Sequence, residues 1–166
     1  MSNPTLGIIG GGQLGSLLAI AAEKLNIKTV ILSDDTNAPA KNFTPNFICG
    51  NYEDEKIIND FISKVDLVTF EFENIPYNTL FQINNLKPVL PKPDVNKIVQ
   101  DRLLEKNFIN NLNINTTQYV SINKIDDLSI NEDLFPGILK TSRFGYDGKG
   151  QLKIDSNSEI KNLKID

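Results

Sequence analysis

The sequence has no histidine, no tryptophan, one cysteine and two arginines. Without histidine a Ser-His-Asp triad cannot be assembled from these residues, and the commonest general base and zinc ligand are both missing. Cys49 cannot form a disulfide within the chain, so a reducing, cytoplasmic location is expected. The longest wholly apolar run, Leu17 to Ala22, has six residues, far short of a membrane span, and no membrane partner is expected. No charged n-region leads into an apolar stretch at the amino terminus, so no secretory signal is expected either. The net charge is -4 with no basic cluster, which argues against a nucleic-acid surface.

What is present is enough for one sizeable core, or for one domain and the start of another: 166 residues, 40% of them apolar. Lysine holds nearly every cationic position. Arg102 and Arg143 therefore stand either where a planar, two-pronged donor is needed or by chance on a solvated face.

The pattern alternates strand and helix. Residues 5–9 (TLGII) read as a short apolar strand, and Leu14, Leu17, Leu18, Ala21, Ala22 and Leu25 then recur at helical spacing, predicting their side as the apolar face. Residues 28–32 and 47–49 read as the second and third strands. Residues 54–63 are helical, with Ile57, Ile58, Phe61 and Ile62 on one face. Residues 66–70 form a fourth strand, a helix is expected to start at Pro76, and Val89 and Leu90 supply a fifth strand. Such alternation predicts an α/β fold with a parallel sheet covered on both faces. After Pro91 and Pro93, residues 94–111 read as one or two helices with Asp94 as N-cap. Residues 112–136 are weakly patterned. Residues 136–141 and 151–154 then flank a glycine-rich stretch and predict a hairpin in a second, smaller unit.

Three motifs could carry chemistry. Gly10, Gly12 and Gly15 fit G-x-G-x-x-G between a strand and a helix, where backbone N–H groups and the helix dipole favour a phosphate. With Asp34 or Asp35 ending the second strand, this alone supports a NAD-binding oxidoreductase domain as readily as any other use. Glu71 and Glu73 flank Phe72 past the fourth strand. Alternation would put both carboxylates on one side, able to accept bonds from sugar hydroxyls or simply to be solvated. Lys140 ends a strand before Gly145, Gly148 and Gly150, with Lys149 inside the loop, an arrangement suited to covering a polyphosphate. This is no Walker loop, which would need glycine at Arg143 and Ser or Thr at Gly150.

GIIGGGQLG, VTFEFENIP, QDRLLEKNF and PGILKTSRFGYDGKGQ occur in that order across nearly the whole chain. The ordered set closely resembles the ATP-grasp enzymes of purine synthesis, the 5-(carboxyamino)imidazole ribonucleotide synthases. The resemblance implies a Rossmann-like domain preceding the grasp (residues 1–95), a helical connection (96–114) and a partial lid domain (115–166). It implies ATP contacts at Arg102, Lys140 and the loop Gly145, Tyr146, Asp147, Gly148, Lys149, Gly150 and Gln151. Tyr146 and Asp147 would lie beside the imidazole, as the residues nearest the chemistry. By analogy with a related transformylase, Gln13, Leu14 and Glu73 would face the ribose phosphate. The implied reaction uses ATP, Mg²⁺ and bicarbonate to carboxylate 5-aminoimidazole ribonucleotide through carboxyphosphate, in a homodimer when full length. Ser16 departs from a commonly basic position, and Ser142 from an arginine pair. The family's metal ligands would fall beyond residue 166, so the chain reads as a fragment, a truncated gene or one piece of a split enzyme, inactive alone. A NAD-dependent oxidoreductase domain and a non-catalytic ribonucleotide-binding module are the alternatives.

Overall fold

The computed structural model describes residues 4–145 and 148–156. The chain divides into two compact units, Met1–Lys97 and Ile98–Asp166.

In the first unit, β1 (Thr5–Ile9), β2 (Lys28–Ser33), β3 (Phe47–Cys49) and β4 (Leu67–Phe70) form a parallel sheet in the order β3-β2-β1-β4. The crossovers carry α1 (Gln13–Lys24), a 3-10 turn at Pro39–Phe43 and α2 (Glu55–Ser63), and α3 (Tyr77–Asn84) follows β4. With elements on both faces the centres of β1 and β2 are apolar at consecutive positions, Gly7–Ile9 and Val30–Leu32. Ile8 and Ile31 pack with Ala19 and Ala40, while Ile9, Val30 and Leu32 join a larger cluster with Phe61, Leu80 and Ile83. The α/β class expected from the sequence is the observed one.

Several local expectations need correction. The leucines of α1 are not its buried face: Leu14, Leu17 and Leu25 are exposed, and Gly15, Ser16, Ala19 and Ala22 are buried. Small side chains let the helix lie close to the sheet, so burial follows size here more than apolarity. Val89 and Leu90 give only an isolated parallel bridge, Val68 to Val89, because Pro88 and Pro91 on either side have no N–H to extend a ladder. Pro76 occupies the N-cap of α3, one residue before its first helical position. The predicted helical stretch is two helices, α4 (Pro93–Val99) and α5 (Arg102–Asn111). Asp94 sits inside the first turn of α4, where its carboxylate accepts a bond of 3.0 Å from the Tyr77 hydroxyl. Asn96, fully buried, donates to the Ile75 carbonyl and so ties α4 to the segment after β4.

In the second unit, Asp101 caps α5 by accepting from the N–H groups of Leu103 and Leu104. The weakly patterned stretch contains α6 (Asp126–Ile130) and a 3-10 turn at Glu132–Leu134. The expected hairpin is present: β5 (Gly137–Lys140) pairs antiparallel with β6 (Gln151–Ile154), Lys140 opposite Gln151. Its core is Leu128 and Ile154, with Ile122, Phe135 and Leu139 partly buried against them.

Candidate functional site

In the first unit the chain moves outward from β1 to β2 and β3, then returns to place β4 on the other side of β1. The carboxyl ends of β1 and β4 thus border the switch point where open α/β sheets take their ligands. Gly10–Gly12 leave β1 there and Glu71 leaves β4 there. The Gly12 N–H donates to Glu71 Oε1 at 2.9 Å, and the Glu71 N–H donates to the Ile9 carbonyl at 3.0 Å. Gly10 has φ of 111°, and a Cβ on it would lie 2.7 Å from Glu71 Oε1. A Cβ on Gly15 would lie 2.6 Å from the Gly10 carbonyl oxygen. These glycines are required by the protein's own packing before any ligand is considered.

Beyond Gly12, α1 begins with Gln13 and Leu14, both exposed. Their N–H groups belong to the first turn, where no intrahelical acceptor exists. Ser16, at the position expected to be basic, is buried and donates to the Gly12 carbonyl at 3.0 Å. Glu73 is exposed in the turn after β4. Because β4 ends at Phe70, strand alternation does not govern Glu71 and Glu73, and Glu71 folds back onto the glycine turn instead.

This geometry speaks against a dinucleotide. A carboxylate already occupies the Gly12 N–H, which a pyrophosphate seated on the glycine turn would need. At the end of β2, Asp35 Oδ1 accepts from the Asn37 N–H at 2.8 Å. Asp34 and Ser33 lie against the Tyr52 phenol, which burial pushes up to about 12. The acids that would read a ribose are thus engaged locally.

The second unit gathers the other candidates. Lys140 is exposed at the end of β5, and Gln151 opens β6 directly opposite. The Thr141 N–H donates to the Gly150 carbonyl at 2.9 Å, closing the base of the loop. Phe144, Gly148 and Gly150 have φ of 60°, 80° and 65°, so the loop turns sharply at both arms. Arg102 donates through its backbone N–H to the Ser142 carbonyl (2.9 Å) and through Nη2 to the Gly145 carbonyl (3.2 Å). Arg143 Nη2 donates to Gln100 Oε1 at 2.8 Å. Lys149 is exposed within the loop. Tyr146 and Asp147 lie outside the described residues. The cations and glycines suit a polyphosphate. Among the described residues no group of three or more acidic or cysteine side chains could hold a metal ion.

Sequence reasoning missed Gln100, Asp101 and Asn96. Asp101 before an amphipathic run was a legible capping signal, whereas the partners of Gln100 and Asn96 are distant in sequence. An open depression of about 610 Å³, lined by Asn110, Asn113, Tyr119 and Leu134 among others, includes none of the expected residues. No helix among the described residues is long and apolar enough to cross a membrane.

Comparison with known proteins bears on both places. Residues 3–100 match the ribonucleotide synthetase preATP-grasp domain. The chain is 37% identical over 158 residues to the N5-carboxyaminoimidazole ribonucleotide synthase of Staphylococcus epidermidis, covering 94% of this chain and 42% of that one. It is 38% identical over 159 residues to the corresponding enzyme of Brucella melitensis, covering 95% and 44%. A crystal structure of an N5-carboxyaminoimidazole ribonucleotide synthetase with ADP superposes with a TM-score of 0.90 at 33% identity, over 98% of this chain and 44% of that one. The chain therefore spans less than half the length of these relatives.

Proposed function

The chain belongs to the ribonucleotide synthetase preATP-grasp family, and on that premise we propose that it supplies the amino-terminal part of an ATP-dependent ligase of purine synthesis. The reaction transfers the γ-phosphoryl group of ATP to bicarbonate, giving ADP and carboxyphosphate. The carboxyl group then passes to the amine of 5-aminoimidazole ribonucleotide with release of phosphate. The observation that carries the reading is the second unit's loop: Lys140 and Gln151 face each other at its base, glycines form its far arm, and Arg102 is tied to its near arm.

In this reading Arg102, Lys140 and the segment Gly145–Gln151 bind ATP. Guanidinium, ammonium and loop N–H groups offset the charge of the phosphates and orient the transferring group. Tyr146 and Asp147 stand beside the imidazole. Gln13, Leu14 and Glu73 receive the ribose phosphate at the switch point, the two N–H groups of the first turn facing the anion and Glu73 the sugar. Residues 1–95 act as the preATP-grasp domain, 96–114 as the connection and 115–166 as part of the lid. Mg²⁺ would neutralise phosphate charge when bound, and its ligands lie outside the described residues. The complete enzyme is a cytoplasmic homodimer. A NAD-binding role is disfavoured by Glu71 on the Gly12 N–H.

The test is phosphate release from ATP in the presence of bicarbonate and 5-aminoimidazole ribonucleotide. The chain alone should give none, and addition of the separately expressed remainder of a full-length relative should restore it. Substantial turnover by the isolated chain would mean that the catalytic groups have been misplaced. No turnover under either condition, with ribonucleotide still bound, would favour a non-catalytic binding module.

A further inference from the structure

The two arginines of this lysine-rich chain reach across the same place in opposite directions. Arg143, on the loop's near arm, donates to Gln100 Oε1, and Arg102, in the first turn of α5, donates to the Gly145 carbonyl. Each bond joins residues 43 apart in sequence. The Arg102 N–H adds a third tie, to the Ser142 carbonyl. Gln100 is 7% exposed, so its amide is held by its surroundings and presents a fixed acceptor. The Arg143 guanidinium also lies 5.7 Å from the Phe144 ring centroid. On the far arm a Cβ on Gly148 would meet nothing within 4 Å, whereas one on Gly150 would lie 2.5 Å from Thr141 Oγ1.

We propose that Gln100 and Arg143 are positioning residues that, with Arg102, clamp the near arm of the glycine loop and so set where the loop meets nucleotide. Neither acts on the phosphates itself. The role rests on the nucleotide-binding reading of this loop. A lysine at 143 would keep the charge but lose the planar fork that directs one N–H at Gln100. One end of the loop is thereby fixed before nucleotide arrives, which lowers the conformational freedom lost when nucleotide binds.

The experiment uses the 166-residue chain. Amide exchange at Ser142–Gly145 and Gly148–Gly150 is measured without ligand, and ADP affinity by calorimetry. The proteins are the wild type, Gln100→Leu, Arg143→Lys, the double variant and Gln100→Glu. Each of the first two substitutions should speed exchange at Ser142–Gly145 by about tenfold and weaken ADP binding by about tenfold, the scale of one charge-assisted bond. The double variant should be no worse than either single one, and Gln100→Glu, which still accepts from Arg143, should keep both properties near wild type. Unchanged exchange in Gln100→Leu would overturn the clamp. Additive losses in the double variant would also overturn it, because Arg143 would then act independently of Gln100. Faster exchange in the variants, with no ADP binding even by the wild type, would uphold the clamp and refute the nucleotide reading.

Discussion

The two units are held together by different means. In Met1–Lys97 a parallel sheet is covered on both faces, and Phe61, Leu80, Ile83, Ile8 and Ile31 are all fully buried. Among the described residues of Ile98–Asp166 the buried core is Leu128 and Ile154, and α5 has no buried residue. What orders the neighbourhood of its glycine loop is polar: the Asp101 cap, the Arg102 bonds and the Gln100–Arg143 pair. Apolar burial is non-directional and roughly additive in area. Bonds to a few carbonyls are directional and can be exchanged for a ligand. The first unit is thus held by area buried, and the neighbourhood of the second unit's loop by a few directed bonds.

The comparison is easiest to break in the cores. Phe61→Ala should cost the first unit about 3–5 kcal/mol in urea denaturation, as the loss of a wholly buried ring requires. Leu128→Ala should cost the second unit nearer ~2 kcal/mol, the low end of the range, since its small core can collapse around the gap. Equal losses would mean that the second unit is packed as tightly as the first. The next effect concerns ligand. In the chain extended to the full length of its relatives, Lys140→Met should weaken ATP binding by ~1.5–3 kcal/mol, the scale of a lost charged hydrogen bond, and leave the first unit's stability alone. Unchanged affinity would remove Lys140 from the site.

Helix caps sharpen the comparison at smaller scale, because Asp54 and Asp101 do the same work in the two units, each accepting from two first-turn N–H groups. Asp54→Ala and Asp101→Ala should each cost about 1 kcal/mol. Amide exchange should rise near α2 in the first variant, and near α5 and Ser142–Gly145 in the second. An Asp101 variant that left the loop arm protected would separate the cap from the clamp. The smallest effect is confined to alkaline solution. Burial pushes the Tyr52 phenol up to about 12, so the folded first unit favours its neutral form. That stabilisation is complete below the ordinary phenol value of about 10 and is lost as pH rises from there through about 12. Tyr52→Phe should flatten the fall of the denaturation midpoint over this range, and an identical fall in the variant would assign it to other groups.

The sheet was legible in the sequence because strands buried on both faces must be apolar at consecutive positions, as Gly7-Ile8-Ile9 and Val30-Ile31-Leu32 are. The face of α1 was misread for a physical reason: close approach to the sheet selects Gly15, Ser16, Ala19 and Ala22 by size, and periodicity alone favours the larger leucines. The glycine turn and the loop between Lys140 and Gln151 were both found by motif. What the motif could not show is that Glu71 fills part of the turn, since that contact spans 59 residues. The scarcity of arginine left special positions and chance survival equally open, and both arginines are tied by hydrogen bonds. Their partners, a buried amide and a loop carbonyl, carry no signature in the sequence.

The central claim is a division of labour, with the ribonucleotide at the first unit's switch point and the adenine nucleotide at the second unit's loop. Titration of the isotope-labelled chain with 5-aminoimidazole ribonucleotide, ADP and NADH, followed through backbone amide shifts, tests it most directly. The ribonucleotide should move Gln13, Leu14 and Glu73, ADP should move Arg102, Lys140 and Gly148–Gln151, and NADH should move neither set. NADH shifts centred on Gly10–Gly15, or ADP and ribonucleotide shifts falling on the same residues, would contradict it.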